Sequence, residues 1–436
     1  MKIVIATAVY YPMINGVAVF SHNLAVGLAS RGHEVLVLCP SQTGKSYMRV
    51  VDGVRTCYLR STEVKVYPDQ IHAVPEKKKI FGRSLPRVFY KHGFRVSVFP
   101  KREVSEILSK FRPDVVHIQV SDMIGLSVTS YAKEYGVPVV TTEHNRPDVL
   151  TDPLKLPKFL KRPVSAVLEA YFRYWHQKSD FVTMPTRLAI EELLRGREFK
   201  VPIAAVSNGV DLSHFRPGRA PSEIYGRYGI SETAPVVLYV GRVDPEKKVG
   251  TVLESFTEVL KSVPEAVLVI VGDGVDRVRL EKKAEDLGIS SSVLFLGRVL
   301  PPDLYELYKV GWVFVTASEI ETQGIVLIEA AATGLPLVAV DGGAVAEVCR
   351  NGENGFLISK TREQDFSNTR QAQKSVKITG VDVLSKISEG VSKILEDAEL
   401  REKFGKRSIE IAHEHDFEKT LDKFINIYKK VLRDDI

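Results

Sequence analysis

Cysteine is scarce and scattered: Cys39, Cys57 and Cys349 are the only three in 436 residues. At that spacing they form neither a disulfide framework nor a zinc-ligand pattern, which points to a reducing compartment. Long apolar runs are missing too. The nearest approach to the roughly 18 uncharged residues of a membrane span, residues 324 to 345, is interrupted by Glu329, Asp341 and the turn signal TGLP. The start, MKIVIATAVYYP, carries one lysine and no small-residue cleavage site follows, so it reads as a first strand and not as a signal peptide. The ten histidines contain no HxxxH pair, and the one close pair, His413 and His415, would point to different faces of a helix. No D-x-D pair stands near a strand end, so a metal-free site is the default. Signatures of RNA-recognition and helix-turn-helix domains are absent, which disfavours nucleic acid as a partner.

What is present is ordinary globular material, 44% apolar and 26% charged, enough for two cores. The net charge of +6 conceals an asymmetry: residues 1 to 200 hold 30 Lys+Arg against 18 Asp+Glu, net +12, and the remainder 30 against 36, net −6. The two halves face different partners. The basic excess gathers in residues 76 to 102 and in KLPKFLKRPVSAVLEAYFRYWHQK, 155 to 178. In the latter, Val164, Val167, Leu168, Tyr171, Phe172 and Trp175 have the spacing of an amphipathic helix, with Pro163 suited to its first turn. Such a stripe either packs on its own domain or docks on anionic lipid, aromatics at headgroup level.

Along the chain, short β-rich apolar runs alternate with helical segments: MKIVIATAV, EVLVLCP, PDVVHIQ and VPVVTTEH in one series, PVVLYVGR, AVLVIVGDG, SVLFLGR, WVFVTAS and LPLVAVD in another. That order predicts an α/β protein with two facing, doubly wound, Rossmann-like domains. The expected division is 1–206, 207–415 and a terminal segment 416–436. In that last segment Phe417, Leu421, Phe424, Tyr428 and Leu432 mark one helix face, which is expected to pack back on the first domain. Residues 359 to 378 are polar and aperiodic and read as a mobile loop. Two glycine motifs are decoys. SQTGKSY ends like a P-loop, but Cys39 stands where its first glycine belongs; VGDGVDR lacks the third glycine of a dinucleotide fingerprint.

The stretch SEIETQGIVLIEAAATGLP, residues 318 to 336, carries Glu321 and Glu329 through a run that otherwise reads as buried helix. Gly324 stands where a helix should begin after the strand WVFVTAS, and a helix start with free amides at the carboxyl edge of a parallel sheet is an anion site. The two carboxylates lie eight steps apart, about 12 Å if helical. They therefore either hold different ends of one long ligand, as a sugar, diphosphate and ribose would offer, or serve as a helix-start charge and a solvated outer-face residue.

This arrangement resembles glycosyltransferase family 4, the retaining nucleotide-sugar transferases of the GT-B fold, and the likeness covers nearly the whole chain. The resemblance implies that Glu321 contacts hydroxyls of the transferred sugar, that Glu329 holds the ribose, and that the backbone of Gly324 and Ile325 takes the diphosphate. GRVDPEKK resembles the family's Gly-Arg and Glu-Lys pair, which implies Arg242 and Lys247 as cations on the diphosphate. MINGVAVF resembles its glycine loop, with Gly16; TTEHN places His144 where the family's histidine meets the sugar; SNGVDLSHF resembles the segment at the domain joint, with Asn208. Two departures stand out: Gln323 replaces the usual phenylalanine, and Asn15-Gly16 replaces Gly-Gly, as in the lipid-glycosylating branch. The expected donor is a UDP- or GDP-sugar, with no cofactor and no metal. The expected acceptor is a membrane lipid, met from the cytoplasmic side at an anionic surface; a soluble sugar or polysaccharide is the alternative. A nucleotide-sugar epimerase on the same architecture would interconvert donor without any acceptor, and a non-catalytic module would bind donor and release nothing.

Overall fold

Each series of β-rich runs builds its own parallel sheet, because strands of Val, Ile and Leu buried on both faces need helices above and below. Residues 14, 65–69, 74–78, 81–82, 85–88, 93, 121, 145–157, 195–198, 360–379 and 435–436 lie outside what the computed structural model describes, as do the side chains of 65–94, 158–162, 165, 168–169, 172 and 380–381. The expectation of a mobile loop at 359 to 378 and much of the basic stretch 76 to 102 therefore fall outside the described residues. The rest divides into two compact units, residues 1–208 with 419–436, and residues 209–418.

In the first unit eight strands follow the spatial order Ile203–Ala205, Phe181–Met184, Val139–Thr142, Val115–Ile118, Lys2–Ala6, Glu34–Pro40, Val54–Leu59, Tyr47–Val51. All pairs are parallel except the last, which is antiparallel. The helix Gly16–Ser30 follows the first strand, and its start is capped by Asn15, whose side-chain oxygen accepts from the Ala18 amide at 2.9 Å. Asp122 caps Met123–Tyr135 the same way, accepting from the Gly125 amide at 2.8 Å. SQTGKSY is no phosphate loop: beyond Gly44 the chain enters the strand Tyr47–Val51 and not a helix.

The terminal helix Phe417–Arg433 joins this unit from residue 419 on. It comes so close to Gly16–Ser30 that a Cβ on Gly27 would lie 2.7 Å from Leu421 Cδ1. Its buried face is Leu421, Phe424, Ile427, Tyr428 and Val431, while Leu432 is 41% exposed. The expected seam through Leu432 is thus corrected: after Tyr428 it advances three residues instead of four, since 3.6 residues per turn lets a 4-4-4 spacing drift off the contact. Each of the fully buried aromatics contributes about 1.5–3 kcal/mol by removal from water. A second correction concerns Pro163. The helix runs from Lys158 to His176, so Pro163 sits inside it and not in its first turn. The helix-competent residues before it carry the chain through at the cost of the one backbone bond proline cannot donate. On this helix Val167 is 68% exposed and Tyr171 37%, the Tyr171 ring lying 6.1 Å from that of Trp175.

In the second unit six parallel strands follow the order Val293–Gly297, Val267–Val271, Val236–Val240, Val313–Thr316, Leu337–Val340, Gly355–Ile358. Alternate residues feed opposite faces: Val236, Leu238 and Val240 pack with Leu327, Ile328 and Ala331, whereas Val237 and Tyr239 pack with Val252, Phe256 and Ile387. Strand order reverses between Val236–Val240 and Val313–Thr316, the place where open parallel sheets bind ligands at the carboxyl ends of their strands. VGDG is explained by backbone crowding at that edge: a Cβ on Gly272 would come 1.7 Å from Gly241 O, and one on Gly274 2.2 Å from Val243 O. Among the described residues no helix is long and apolar enough to cross a membrane.

Candidate active site

Both loops at the reversal of the second sheet carry charge. Leaving Val236–Val240, the chain passes Gly241 and makes a short 3-10 turn, Pro245–Lys247, before Val249–Ser262 begins. The Tyr239 hydroxyl pins this loop by donating to Arg242 O at 2.8 Å, and the Val275 amide donates to Asp244 Oδ1 at 3.1 Å. Leaving Val313–Thr316, the chain runs to Gly324, whose φ of 73° lies in the left-handed region that favours glycine. There Ile325–Ala332 starts, with its first amides beyond the reach of intrahelical acceptors.

The two loops meet through an ion pair: Lys247 Nζ donates to Glu321 Oε1 at 2.6 Å, with side chains 17% and 14% exposed. Ser318 Oγ is 3.5 Å from the same ammonium, and Lys248 pairs with Glu319 alongside. A third loop supports them from behind. After Leu337–Val340, Gly342 and Gly343 lie directly on the 319–321 backbone: added Cβ atoms would come 2.4 Å from Glu319 Cα and 2.0 Å from Glu321 O. The Ala344 amide donates to Glu321 O at 2.9 Å, which sets the height of the glutamate loop. Arg242 lies in the same loop as Lys247 but is 57% exposed, its guanidinium held by Asp244 and Glu246.

Glu329 occupies the second turn of Ile325–Ala332, partly buried, where it accepts from the Tyr308 hydroxyl at 2.6 Å. Burial pushes its carboxyl up to about 7, against the lowering effect of that hydroxyl. The reading of Glu329 as a solvated outer-face residue is thereby corrected: it sits over the buried Tyr308 of the helix Asp303–Val310. Gln323 is buried as well.

In the first unit Gly16 opens the Gly16–Ser30 helix with an ordinary φ, and a Cβ there would meet nothing within 4 Å. Among the described residues no neighbouring atom requires a glycine there. His144 lies two residues beyond Val139–Thr142, buried, its Nε2 2.8 Å from Gln119 Oε1 and its ring 5.2 Å from Phe20, a residue of the helix that Gly16 begins. Asn208 is buried at the last position of this stretch of the unit, and Gly209, with φ of 72°, begins the other unit. Lys247 and Glu321 are thus brought into contact, Glu329 is turned toward Tyr308, and Arg242 points to neighbouring acids.

Several residues of the site region escaped sequence reasoning. Gly342-Gly343 and Tyr308 act through contacts between distant segments, and no local signal marks them. Gln119 and His117 had a signal: two polar residues within and just after PDVVHI, a run too apolar to leave them solvated.

Two doubly wound parallel-sheet units of this kind make up the GT-B fold. Residues 14–214 match the profile of Glycosyltransferase Family 4, and residues 222–371 that of Glycosyl transferases group 1. Over 362 residues the chain is 30% identical to a GDP-mannose-dependent alpha-mannosyltransferase of Mycolicibacterium smegmatis, covering 82% of this chain and 84% of that protein. Over 372 residues it is 27% identical to an alpha-monoglucosyldiacylglycerol synthase of Acholeplasma laidlawii, covering 83% and 86%. The fold superposes on a sucrose-phosphate synthase of Thermosynechococcus elongatus with a TM-score of 0.72 at 17% identity, over 99% of this chain and 100% of that one. The chain belongs to glycosyltransferase family 4 and is a glycosyltransferase.

Proposed function

We propose that the enzyme transfers a hexose from a UDP- or GDP-sugar to a hydroxyl of a membrane lipid, with retention of anomeric configuration and without a metal ion or cofactor. The observation that carries this reading is the Lys247–Glu321 pair at the strand-order reversal, beside the start of Ile325–Ala332. In this reading the diphosphate lies on the amides of Gly324 and Ile325, where the helix dipole favours negative charge. Lys247 turns to it, joined by Arg242, and Glu321 receives sugar hydroxyls in place of the ammonium. Glu329 holds the ribose. The sugar contact is assigned to His144, Gly16 lets backbone approach the donor, and Asn208 belongs to the joint.

The chemistry then requires one bond to break, anomeric carbon to phosphate oxygen, and one to form, anomeric carbon to acceptor oxygen. Attack comes from the face the phosphate leaves, and the departing phosphate oxygen takes the acceptor's proton. Charge builds on the nucleoside diphosphate as it leaves, and preorganised cations and amides in that position are the largest kind of catalytic contribution. These groups also supply the positive charge for which other transferases use a metal, which supports the metal-free reading. A lipid acceptor is favoured by the basic first unit and by the exposed Val167 and Tyr171 of Lys158–His176, an amphipathic surface suited to an anionic interface. The similarity to a diacylglycerol-glycosylating enzyme points the same way.

The test is a screen of UDP- and GDP-hexoses with vesicles containing diacylglycerol, with and without anionic lipid and with EDTA present. Nucleoside diphosphate release that depends on the vesicles, with an α-linked product from an α-linked donor, is expected. Isomerised donor with no acceptor consumed would instead identify an epimerase, and transfer only to soluble sugars would remove the lipid.

A pH dependence follows from Glu329. Its folded-state carboxyl titrates near 7, above its ordinary value of 4.5, so its ionisation opposes folding and any stability it contributes is lost as pH rises through about 7. Ribose hydroxyls need the ionised form, about a tenth of the population one unit below that value. The donor KM is therefore expected to fall roughly five- to tenfold between pH 6 and pH 8, and Glu329→Gln should flatten the profile. A wild-type KM independent of pH over this range would exclude the carboxylate from ribose binding.

A further inference from the structure

The first unit has its own reversal of strand order, between Lys2–Ala6 and Val115–Ile118, and the chain leaves the second of these strands through Gln119. Strands here are buried on both faces, yet His117, Gln119, Thr142 and Thr183 are all fully buried. Polar groups in such a place must be paired. Tyr428 Oη, from the terminal helix, lies 2.7 Å from His117 Nδ1; His117 Nε2 lies 2.6 Å from Thr142 Oγ1; Thr142 Oγ1 lies 2.6 Å from Thr183 Oγ1. Phe424 covers the His117 ring at 5.0 Å and Phe20 the His144 ring at 5.2 Å. Burial among these apolar walls lowers both imidazoles to about 3, so both are neutral at working pH. Among the described residues, His117 has His144 and Tyr428 as titratable neighbours, and Glu143, which precedes His144, is 3.3 Å from His176.

Gln119 joins the two rings. Its Nε2 is 3.3 Å from His117 Nδ1 and 3.2 Å from Nε2, while its Oε1 faces His144 Nε2 at 2.8 Å. The in-plane positions of His117 are taken by Tyr428 and Thr142, and near-equal distances to both nitrogens put the amide over the ring face. The face of a neutral ring receives an N–H and repels a carbonyl oxygen. That choice orients the amide, oxygen toward His144. An amide oxygen can only accept, so His144 donates from Nε2, and a neutral imidazole with its proton there keeps a lone pair on Nδ1.

We propose that Gln119 is a positioning residue that locks His144 as the Nε2–H tautomer, so that Nδ1 reads a hydroxyl of the transferred sugar as a hydrogen-bond donor. The proposal rests on the sugar contact assigned to His144 above. It predicts selectivity: a neutral acceptor welcomes a hydroxyl and disfavours a carboxylate or phosphate in the same place, as in an oxidised or phosphorylated sugar.

Nitrogen-15 NMR of the full-length protein, with His144 assigned through His144→Ala, tests the lock without turnover. The Nε2–H tautomer is expected throughout pH 6 to 8; a proton on Nδ1 overturns the proposal. Gln119→Leu keeps the side-chain bulk and removes the oxygen. It should lower kcat/KM for the sugar donor about tenfold, the scale of one hydrogen bond, while the Kd for UDP or GDP alone stays unchanged. Gln119→Glu restores the accepting oxygen but brings a negative charge, so His144 should titrate higher and the rate should acquire a new pH limb. If His144→Ala turns over normally, the sugar contact falls and this proposal with it. If His144→Ala is impaired but a folded Gln119→Leu is not, only the positioning role is overturned.

Discussion

Replacing Lys247 with alanine is expected to lower kcat by about 10²–10³-fold, the cost of removing one preorganised charge from a developing anion. Two features of the geometry favour so large an effect. Lys247 comes from the loop after Val236–Val240 and its partner from the loop after Val313–Thr316, so the ammonium is held where strand order reverses. It is also largely shielded from water, where a charge acts more strongly than on an open surface. The same variant strips Glu321 of its counter-ion, so some loss reflects a displaced carboxylate. Lys247→Ala, Glu321→Gln and the double variant separate the contributions: residues acting as a unit give losses that do not add. Product formation is measured with folding followed by circular dichroism. Turnover within twofold of wild type in a folded Lys247→Ala protein would sink the assignment.

Gly343→Ala should be nearly as damaging although it touches no substrate in the proposed reading. Its φ of +59° strains any L-residue, which costs about 1–2 kcal/mol. A methyl group would lie 2.0 Å from the carbonyl oxygen of Glu321, so that backbone has to move by more than 1 Å. Misplacement on that scale costs about 10²-fold in rate. Gly352→Ala is the control. Its φ is +75°, but nothing lies within 4 Å of the added carbon, so the strain is retained without the collision. It should lose a similar amount of stability and keep its kcat. If both variants keep full activity, the glutamate loop is not held by the glycine pair.

The doubly wound architecture was legible in the sequence because parallel strands buried on two faces must be continuously apolar, and because crossover helices announce themselves by a period near 3.6. Glu321 and Glu329 were legible as charges that an apolar run has no reason to carry, and Lys247 and Arg242 through the pattern GRVDPEKK. Pro163 and Leu432 were misread for one reason. Local rules place a proline at a helix start and extend a four-residue spacing indefinitely, whereas helix length and packing angle are settled by neighbours. The amide of Gln119 could be read only as a buried polar group needing a partner, and its orientation depends on a tyrosine more than three hundred residues away in the chain.

The sequence by itself determined which segments become strands and helices, which face of each is apolar, and which charged side chains stand at the carboxyl ends of strands. Those properties depend on neighbours within one or two turns of the chain. Only the tertiary structure decided that Lys247 meets Glu321, that two glycines press on the glutamate loop, and that Glu329 titrates near neutrality over Tyr308. Distances of a few ångströms and the exclusion of water arise where remote segments converge, and nothing in the local order of residues encodes them.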